Sequence, residues 1–515
     1  MITISQSASR HPFDRHYLAC VGSGHAALAL RTDYAEQLKR VHSELGIKRV
    51  RFHGVFDEDM KVMLSLKNFL PLPGTEQYYD VSFTQIGLAY DTILKAGMKP
   101  WVELSFMPDM LAAKNAHIRF SYHANISYPK DYAKWEEFLG AFIRFLFDRY
   151  GKEEVESWYF EVWNEPNLGG FFAGKQKDYF ELYRHTANAL KRIDQKLMVG
   201  GPATATNDWV DAFVSFCETN SVPVDFVSTH QYMGEPLGHD PGGMKGIVAS
   251  VLRGRKKLRE AGGGSVLDGI RLMFDDSSES RTFSKTLFAD NVKAVKKQAK
   301  GLPVFYTEWN GSSLCGAPHN DTRKLAANAL KNIMDMEGNL TGSSIWAFSD
   351  IFEETFMFPQ EFSGNFGLLT LHNIRKPVYH AFEMLKQVGD TRIDLSLEED
   401  DIECAAFENE EGIQVLLYRP DLKCRELPPK SITLVVEGVC PKKVTVQKID
   451  ETHCNPLKLW EDMGKPKDLK PSIAKEIDDA TSLLEEEQAF VCKDGDMCIT
   501  AALCSNDCHL IKIYR

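Results

Sequence analysis

Two glutamate residues of this chain stand in short segments whose residue types could cleave a bond to a sugar. Glu165 lies in Trp163–Asn167 (WNEPN), and Glu308 lies in Tyr306–Asn310 (YTEWN). Cleavage of a glycosidic bond needs one carboxyl group to protonate the leaving oxygen. It needs a second to attack the sugar, or to activate water, on the opposite face. A single glutamate in such a segment is commonly only solvated or salt-bridged, whereas two of them flanked by aromatic residues predict a catalytic pair.

Both segments belong to a series of eight short runs that read as buried parallel strands separated by helical patterns. Eight such units predict an α/β fold, a closed (β/α)8 TIM barrel, whose active site is built at the C-terminal ends of the strands. Glu165 then follows the fourth strand and Glu308 ends the seventh, so both lie at one mouth. The predicted strands are Cys20–His25, Arg49–Phe56, Pro100–Phe106, Trp158–Trp163, Leu197–Pro202, Asp225–His230, Pro303–Glu308 and Ser343–Asp350.

Amphipathic segments between these runs predict the outer helices, and the long stretch 234–301 predicts an insertion near the barrel mouth. The clearest helical segments are Tyr34–Leu45, Trp135–Tyr150 and Phe180–Ile193. After about residue 390 the pattern changes to alternating runs typical of an accessory antiparallel β-sandwich, to which residues 1–5 could add a strand. The predicted division is a barrel over 14–386 and a sandwich over 1–13 plus 387–515. The alternating runs are Gly412–Tyr418, Ser431–Val436, Lys443–Ile449 and Cys508–Tyr514.

Composition and charge exclude several classes of partner. The 515 residues carry a net charge of -12, which disfavours nucleic acid and anionic membranes but not a neutral sugar. No stretch reaches the roughly 20 apolar residues of a membrane-spanning helix, and no export signal is evident. The 11 cysteines contain no C-x-x-C pair and predict small buried side chains in a reducing compartment. We therefore expect a cytoplasmic protein, although export of a longer precursor stays open.

The motifs around the two glutamates resemble those of glycoside hydrolase family 39, within the clan of retaining barrel glycosidases, and most resemble its β-xylosidases. The resemblance implies that Glu165 is the general acid/base, that Glu308 is the nucleophile and that Asn164 binds the sugar 2-hydroxyl. It also implies a covalent glycosyl-enzyme, with no metal and no cofactor. The similar segments are Val21–Leu28, Val50–Gly54, Val102–Pro108, Trp158–Leu168, Val304–Asn310, Phe348–Glu354 and Asn455–Trp460.

Further residues at the predicted strand ends are candidates for holding the sugar. A lone histidine is more often structural, and Trp346 could either fill the barrel or lie under the sugar face. We expect one of Glu353 and Glu354 to bind the outer hydroxyl groups. The candidate substrate-binding residues, besides Asn164, are His53, Phe120, His230, Tyr232, Trp346, Glu353 and Glu354.

The expected reaction is the exo-acting release of a terminal neutral sugar from an oligosaccharide or glycoside, with a β-xyloside as the first candidate substrate. A β-glucoside, β-galactoside, α-L-arabinopyranoside or α-L-iduronide is the alternative. An iduronide is disfavoured because its carboxylate needs a cation, and the chain has a tyrosine at residue 232 where the resemblance implies that the α-L-iduronidases of the same family carry a lysine. Endo-acting hydrolysis and a non-catalytic carbohydrate-binding protein also stay open, as does a homo-oligomer.

Overall fold

Eight parallel strands form a closed barrel at the centre of the computed structural model. The structure describes all of the chain except residues 119, 121, 239–253, 266–267, 270, 273–283, 314, 355–359, 396–400 and 422–426, and the side chain of residue 76. The barrel strands, in chain order, are Cys20–His25, Arg49–His53, Lys99–Glu103, Tyr159–Glu161, Met198–Thr204, Phe226–Tyr232, Val304–Asn310 and Gly342–Ile345. Each lies beside the next, and the eighth closes on the first, which confirms the predicted barrel.

Amphipathic helices surround the barrel because each buries one apolar stripe against the strands. In the helix Thr32–Leu45, Leu38, Val41 and Leu45 share the buried face, as the sequence pattern predicts. The helix Tyr132–Tyr150 begins where the Asp131 side chain accepts hydrogen bonds from two backbone N–H groups of its first turn. The outer helices are Thr32–Leu45, Thr84–Lys95, Tyr132–Tyr150, Gln176–Ile193, Val210–Asn220, Leu287–Gln298, Arg323–Met336 and Pro377–Gln387.

The helix Leu287–Gln298 lies inside the stretch 234–301, for which the sequence predicts an insertion. It contacts the helices Val210–Asn220 and Arg323–Met336. The last part of the stretch is therefore an ordinary barrel helix, and only the residues before it depart from the barrel repeat. Much of that earlier part lies outside the described residues. Shorter helices are Leu66–Phe69, Lys152–Glu156, Pro456–Asp462 and Pro471–Ala480.

Two further sheets pack around a separate apolar core. Buried and exposed residues alternate along Lys430–Val436 and Asp496–Leu503, so one face of each strand points into that core. One sheet orders Ile2–Ile4, Lys430–Val436, Asp496–Leu503 and Val491–Lys493. The other orders Glu485–Glu487, Lys443–Ile449, Cys508–Tyr514, Gly412–Tyr418, Glu403–Asn409, Thr391–Ile393 and Arg10–Pro12. A small hairpin pairs Met63–Ser65 with Tyr79–Val81.

Two expectations for this region need correction or qualification. Ile2–Ile4 supplies a strand, but it pairs parallel to Lys430–Val436, so the four-stranded sheet is not wholly antiparallel. Cys440 and Cys492 are exposed and form a disulfide bond with Cα atoms 5.9 Å apart, so the expectation of small buried side chains is wrong for this pair. Within the described residues, no helix combines the length and apolar character that a membrane crossing requires. The division of the chain at residues 14 and 386 stays a prediction.

Candidate active site

Glu165 and Glu308 face each other across the C-terminal mouth of the barrel. Glu308 lies on the seventh strand, and Glu165 lies in the loop after the fourth. An oxygen of one carboxyl group is within 4.8 Å of an oxygen of the other. Glu165 has a left-handed backbone with φ 43°, a conformation that few non-glycine residues adopt. Its N–H donates to Ala203 O over 2.8 Å, which ties this loop to the fifth strand.

Both oxygens of Glu308 accept hydrogen bonds. Arg51 Nη1 donates to Oε1 over 2.7 Å, and the hydroxyl group of Tyr232 donates to Oε2 over 2.8 Å. Burial raises the pKa of Glu308, while the charges of Arg51 and His53 and the Tyr232 hydrogen bond lower it, and the net pKa lies above its ordinary value. These donors favour the carboxylate form, which is the form a nucleophile needs.

Glu165 has different surroundings, because its one described side-chain hydrogen bond is to a histidine. Its Oε1 lies 3.0 Å from Nδ1 of His230. Burial raises the pKa of Glu165 well above its ordinary value, and the nearby charge of Glu308 raises it further. Two adjacent carboxyl groups cannot both ionise easily, so the proton of the pair stays on Glu165.

Arg51 links the site to two buried carboxylates that the sequence analysis did not single out. Its guanidinium contacts Glu161 Oε2 at 2.5 Å and Glu103 Oε2 at 2.8 Å, as well as Glu308. Arg51 Nη2 also donates to Asn164 Oδ1 over 3.0 Å, which orients that amide. Burial would lower the pKa of Arg51, but the three carboxylates raise it well above its ordinary value, so the side chain stays charged.

His53 lies between Glu103 and the mouth of the barrel. Its Nδ1 is 2.8 Å from Glu103 Oε2, and its Nε2 is 3.5 Å from Glu354 Oε1 and 3.7 Å from Glu308 Oε1. Burial would lower the pKa of His53, but these carboxylates raise it to about 10. The ring is therefore a cation at neutral pH, and it adds positive charge beside Glu308.

The other substrate-binding candidates from the sequence lie at different distances from Glu165 and Glu308. The Trp346 ring is buried and lies 4.7 Å from the His53 ring, centroid to centroid. Phe120 lies further out and reaches the site through Phe171, which stands between it and His53. Glu353 lies 3.6 Å from Arg31, so the structure separates it from its neighbour Glu354. Of the adjacent glutamates, Glu354 has the contact with the site.

Glu165, His230 and Glu308 are also the one set of three potential metal ligands that the described part of the chain brings together. Arg51 and Tyr232 already occupy both oxygens of Glu308, and the positive charges of Arg51 and His53 oppose a second cation there. The arrangement suits a hydrogen-bonded pair of carboxyl groups better than a metal centre.

The sequence contained a signal for Arg51, Glu103 and Glu161, which were not among the predicted site residues. Arg51 precedes His53 by two positions on the second strand, and residues two apart on a strand point to the same face. Glu103 and Glu161 likewise stand inside apolar runs, where a charged side chain must have a buried partner. These exceptions to the apolar pattern indicated a charge network, but not which residues would meet.

A closed (β/α)8 barrel whose mouth holds two carboxyl groups in different electrostatic surroundings is the architecture of a glycoside hydrolase. The family model "Glycosyl hydrolases family 39" matches residues 1–257 and 276–496. The chain belongs to this family, as the motifs around Glu165 and Glu308 predict, and it is a glycosidase.

Individual relatives match nearly the whole chain. A β-xylosidase of Caldicellulosiruptor saccharolyticus is 36% identical over 495 residues, covering 95% of this chain and 93% of the relative. A β-xylosidase of Geobacillus stearothermophilus is 31% identical over 516 residues, covering 99% and 94%. The crystal structure of a monomeric β-xylosidase from Caulobacter crescentus CB15 is similar with a TM-score of 0.77 and 27% identity, covering 100% of this chain and 99% of that one.

Proposed function

We propose that the protein releases a terminal xylose from β-xylosides with retention of configuration, with Glu308 as nucleophile and Glu165 as general acid/base. The observation that carries the proposal is that one carboxyl oxygen of Glu165 lies within 4.8 Å of one carboxyl oxygen of Glu308. Retaining enzymes hold their carboxyl groups about 5 to 5.5 Å apart, whereas inverting enzymes leave about 6.5 to 9.5 Å for a water molecule.

The first step forms the glycosyl-enzyme. A carboxylate oxygen of Glu308 attacks the anomeric carbon and the bond to the leaving oxygen breaks. That oxygen takes the proton of Glu165, so the alcohol departs neutral. Arg51 and Tyr232 hold the attacking carboxylate in place by their hydrogen bonds.

The second step returns the enzyme to its starting state. Glu165, now a carboxylate, removes a proton from water, and the water oxygen attacks the anomeric carbon from the face that the alcohol left. The bond to Glu308 breaks and its carboxylate is regenerated. Two inversions give net retention, and Glu165 ends the cycle protonated.

Several residues of the mouth are proposed to hold the sugar. Asn164, whose amide Arg51 orients, is assigned to the 2-hydroxyl group, and Glu354 to the outer hydroxyl groups. We assign the aromatic face of Trp346 to the C–H side of the ring. The remaining proposed contacts are His53, Phe120, His230 and Tyr232.

The choice of a β-xyloside rests on the two curated relatives, which are named β-xylosidases. Loops at the mouth of a barrel change specificity while the strand ends keep the chemistry, so the substrate is a separate claim from the mechanism. We expect exo action, in which the terminal sugar of the substrate enters the barrel mouth and is released.

A panel of 4-nitrophenyl glycosides tests the proposal: the β-D-xyloside, β-D-glucoside, β-D-galactoside, α-L-arabinopyranoside and α-L-iduronide. Each is assayed with the wild type, Glu308→Ala, Glu165→Ala and Glu476→Ala, an exposed helix residue that serves as the control. We expect turnover of the β-xyloside, a loss of about four orders of magnitude or more in Glu308→Ala, and unchanged turnover in Glu476→Ala.

Azide separates the two roles. In Glu165→Ala, azide should speed turnover by attacking the glycosyl-enzyme and should yield the β-glycosyl azide, because an anion needs no general base. An α-glycosyl azide would contradict retention. Turnover of another glycoside that Glu308→Ala abolishes would keep the mechanism and move the substrate. Silence on the whole panel would count against the proposed substrate and would leave either an unusual aglycone requirement or the non-catalytic carbohydrate-binding protein.

Product analysis on a series of xylo-oligosaccharides separates exo from endo action, since exo action releases one xylose at a time.

Cytoplasmic residence and a homo-oligomeric state are proposed from the sequence alone. The disulfide Cys440–Cys492 is unusual for a reducing compartment, so thiol titration of protein taken from its native host bears directly on location. Light scattering measures the oligomeric state.

A further inference from the structure

Four buried side chains form a continuous hydrogen-bonded chain that ends at the acid/base residue. Thr307 Oγ1 lies 2.8 Å from Glu161 Oε1 and 3.2 Å from His230 Nε2. His230 Nδ1 lies 3.0 Å from Glu165 Oε1. The chain crosses from the fourth strand to the seventh, then to the sixth, and returns to the loop after the fourth.

The far end of this chain sets its direction. Glu161 Oε2 is held at 2.5 Å by Arg51 Nε, so Glu161 is a carboxylate and can only accept hydrogen bonds. Thr307 therefore donates its single hydroxyl proton to Glu161 Oε1. Towards His230 the same hydroxyl oxygen can then only accept, and the proton between them must belong to His230 Nε2.

His230 carries no second proton. Burial lowers the pKa of His230 well below its ordinary value, and the positive charges of Arg51 and His53 lower it further. The carboxyl groups that face the ring are those of Glu165 at 3.0 Å and Glu308 at 3.7 Å from Nδ1, and Glu308 has its own donors. A neutral ring that is protonated on Nε2 has a lone pair on Nδ1.

Since Nδ1 can only accept, the proton between His230 and Glu165 must be on Glu165. We propose that Thr307 and Glu161 are positioning residues that hold His230 in the Nε2–H tautomer and so keep the acid proton on Glu165. The inference rests on the proposed function for its catalytic meaning, but the tautomer itself does not depend on any substrate.

The arrangement bears on both steps of the cycle. Before the first step, Nδ1 of His230 accepts a hydrogen bond from protonated Glu165, which later gives this proton to the leaving oxygen. After that transfer, the Glu165 carboxylate faces a lone pair instead of an N–H donor. The hydrogen-bond chain therefore leaves the ionised form of Glu165 without a donor from His230. This favours removal of a proton from water by Glu165 in the second step.

The tautomer is measured directly by NMR of the ligand-free protein labelled with 15N in the histidine rings, with the His230 signals assigned by their loss in His230→Asn. We expect a neutral ring protonated at Nε2 in the wild type and in Thr307→Ser, which keeps the hydroxyl group. In Thr307→Val, which removes it, we expect the proton to move to Nδ1 and point at Glu165. A wild-type ring protonated at Nδ1, or at both nitrogens, would overturn the inference.

Kinetics test the consequence for Glu165. If the Thr307→Val ring donates to the Glu165 carboxylate, it stabilises the ionised form, and the alkaline limb of the kcat/KM profile should fall by about one pH unit. Thr307→Ser should keep the wild-type limb. The loss should also be larger for a phenyl glycoside than for a 2,4-dinitrophenyl glycoside, whose leaving group needs no acid.

The outcomes separate this inference from the proposed function. An unchanged alkaline limb in Thr307→Val, or equal losses on both leaving groups, would overturn the positioning role even if Glu165 is the acid/base. Full activity of Glu165→Ala on the phenyl glycoside would overturn the proposed function, and the NMR result would still decide the tautomer.

Discussion

Tyr232, on the sixth strand, donates its hydroxyl proton to Glu308 Oε2 across 2.8 Å, and burial together with the Glu308 charge raises the pKa of the Tyr232 phenol well above its ordinary value. The phenol therefore stays protonated throughout the working range and acts only as a donor. It stabilises the ionised form of Glu308, so it lowers the pKa of that carboxyl group.

Removing this donor should shift the acid side of the pH profile. In Tyr232→Phe the pKa of Glu308 rises, and the acid limb of kcat/KM should move to higher pH by about one unit. Tyr90→Phe is the matched control, because the buried Tyr90 hydroxyl has no hydrogen-bond partner among the described residues. An acid limb that stays in place in Tyr232→Phe would show that this hydrogen bond does not set the ionisation of Glu308.

The adjacent residues Glu353 and Glu354 should differ in their effect on substrate use. Glu354 approaches His53, whereas Glu353 approaches Arg31. Glu354→Gln should lower kcat/KM by about tenfold to a hundredfold, the value of a hydrogen bond to a charged group. Glu353→Gln should change kcat/KM by less than about threefold, since a surface ion pair contributes little. A larger loss in Glu353→Gln would reverse the assignment.

Lys376 should be essential for stability, because it neutralises two buried carboxylates. Its Nζ lies 2.6 Å from Asp321 Oδ1 and 2.7 Å from Asp350 Oδ2. Lys376→Met should lower the free energy of unfolding by about 3 to 5 kcal/mol in urea titrations. Burial already raises the pKa of Asp350 to about 7 despite Lys376.

The loss of unfolding free energy in Lys376→Met should depend on pH. Without Lys376 the folded-state pKa of each buried acid rises further above its unfolded-state value. The folded state therefore binds more protons than the unfolded state. The loss of stability should therefore be greater at pH 8 than at pH 5. Lys475→Met, which removes an exposed partner of Asp479, should change the free energy of unfolding by no more than about 0.5 kcal/mol. A pH-independent loss in Lys376→Met would contradict the electrostatic explanation.

The disulfide Cys440–Cys492 should stabilise the region of the two sheets. It closes a loop of 52 residues, and cross-links of this kind contribute about 2 to 4 kcal/mol to the free energy of unfolding. A reductant should therefore lower the unfolding midpoint of the wild type and leave Cys492→Ser unaffected. Cys498→Ser, which changes a free cysteine on the neighbouring strand, should respond to the reductant like the wild type. Equal midpoints of the wild type with and without reductant would count against the bond.

The barrel could be predicted from the sequence because local patterns of residues identify its strands and helices. The strands Cys20–His25, Gly412–Tyr418, Lys443–Ile449 and Cys508–Tyr514 have the bounds that their apolar patterns predict. The cysteine pair escaped prediction because its members are 52 positions apart and only the fold brings their Cα atoms to 5.9 Å. The parallel pairing of Ile2–Ile4 escaped for a similar reason, since alternation identifies a strand but not its partner's direction.

The sequence by itself determined that Glu165 and Glu308 lie at one mouth, because each follows a strand of an alternating β/α series and such strands all point the same way. Only the tertiary structure decided which side chains meet them there. His230 stands opposite Glu308 in the strand register, next to a register shift between Thr229 and His230. The stagger of neighbouring strands in the closed barrel therefore determines which side chains contact each of the two glutamates.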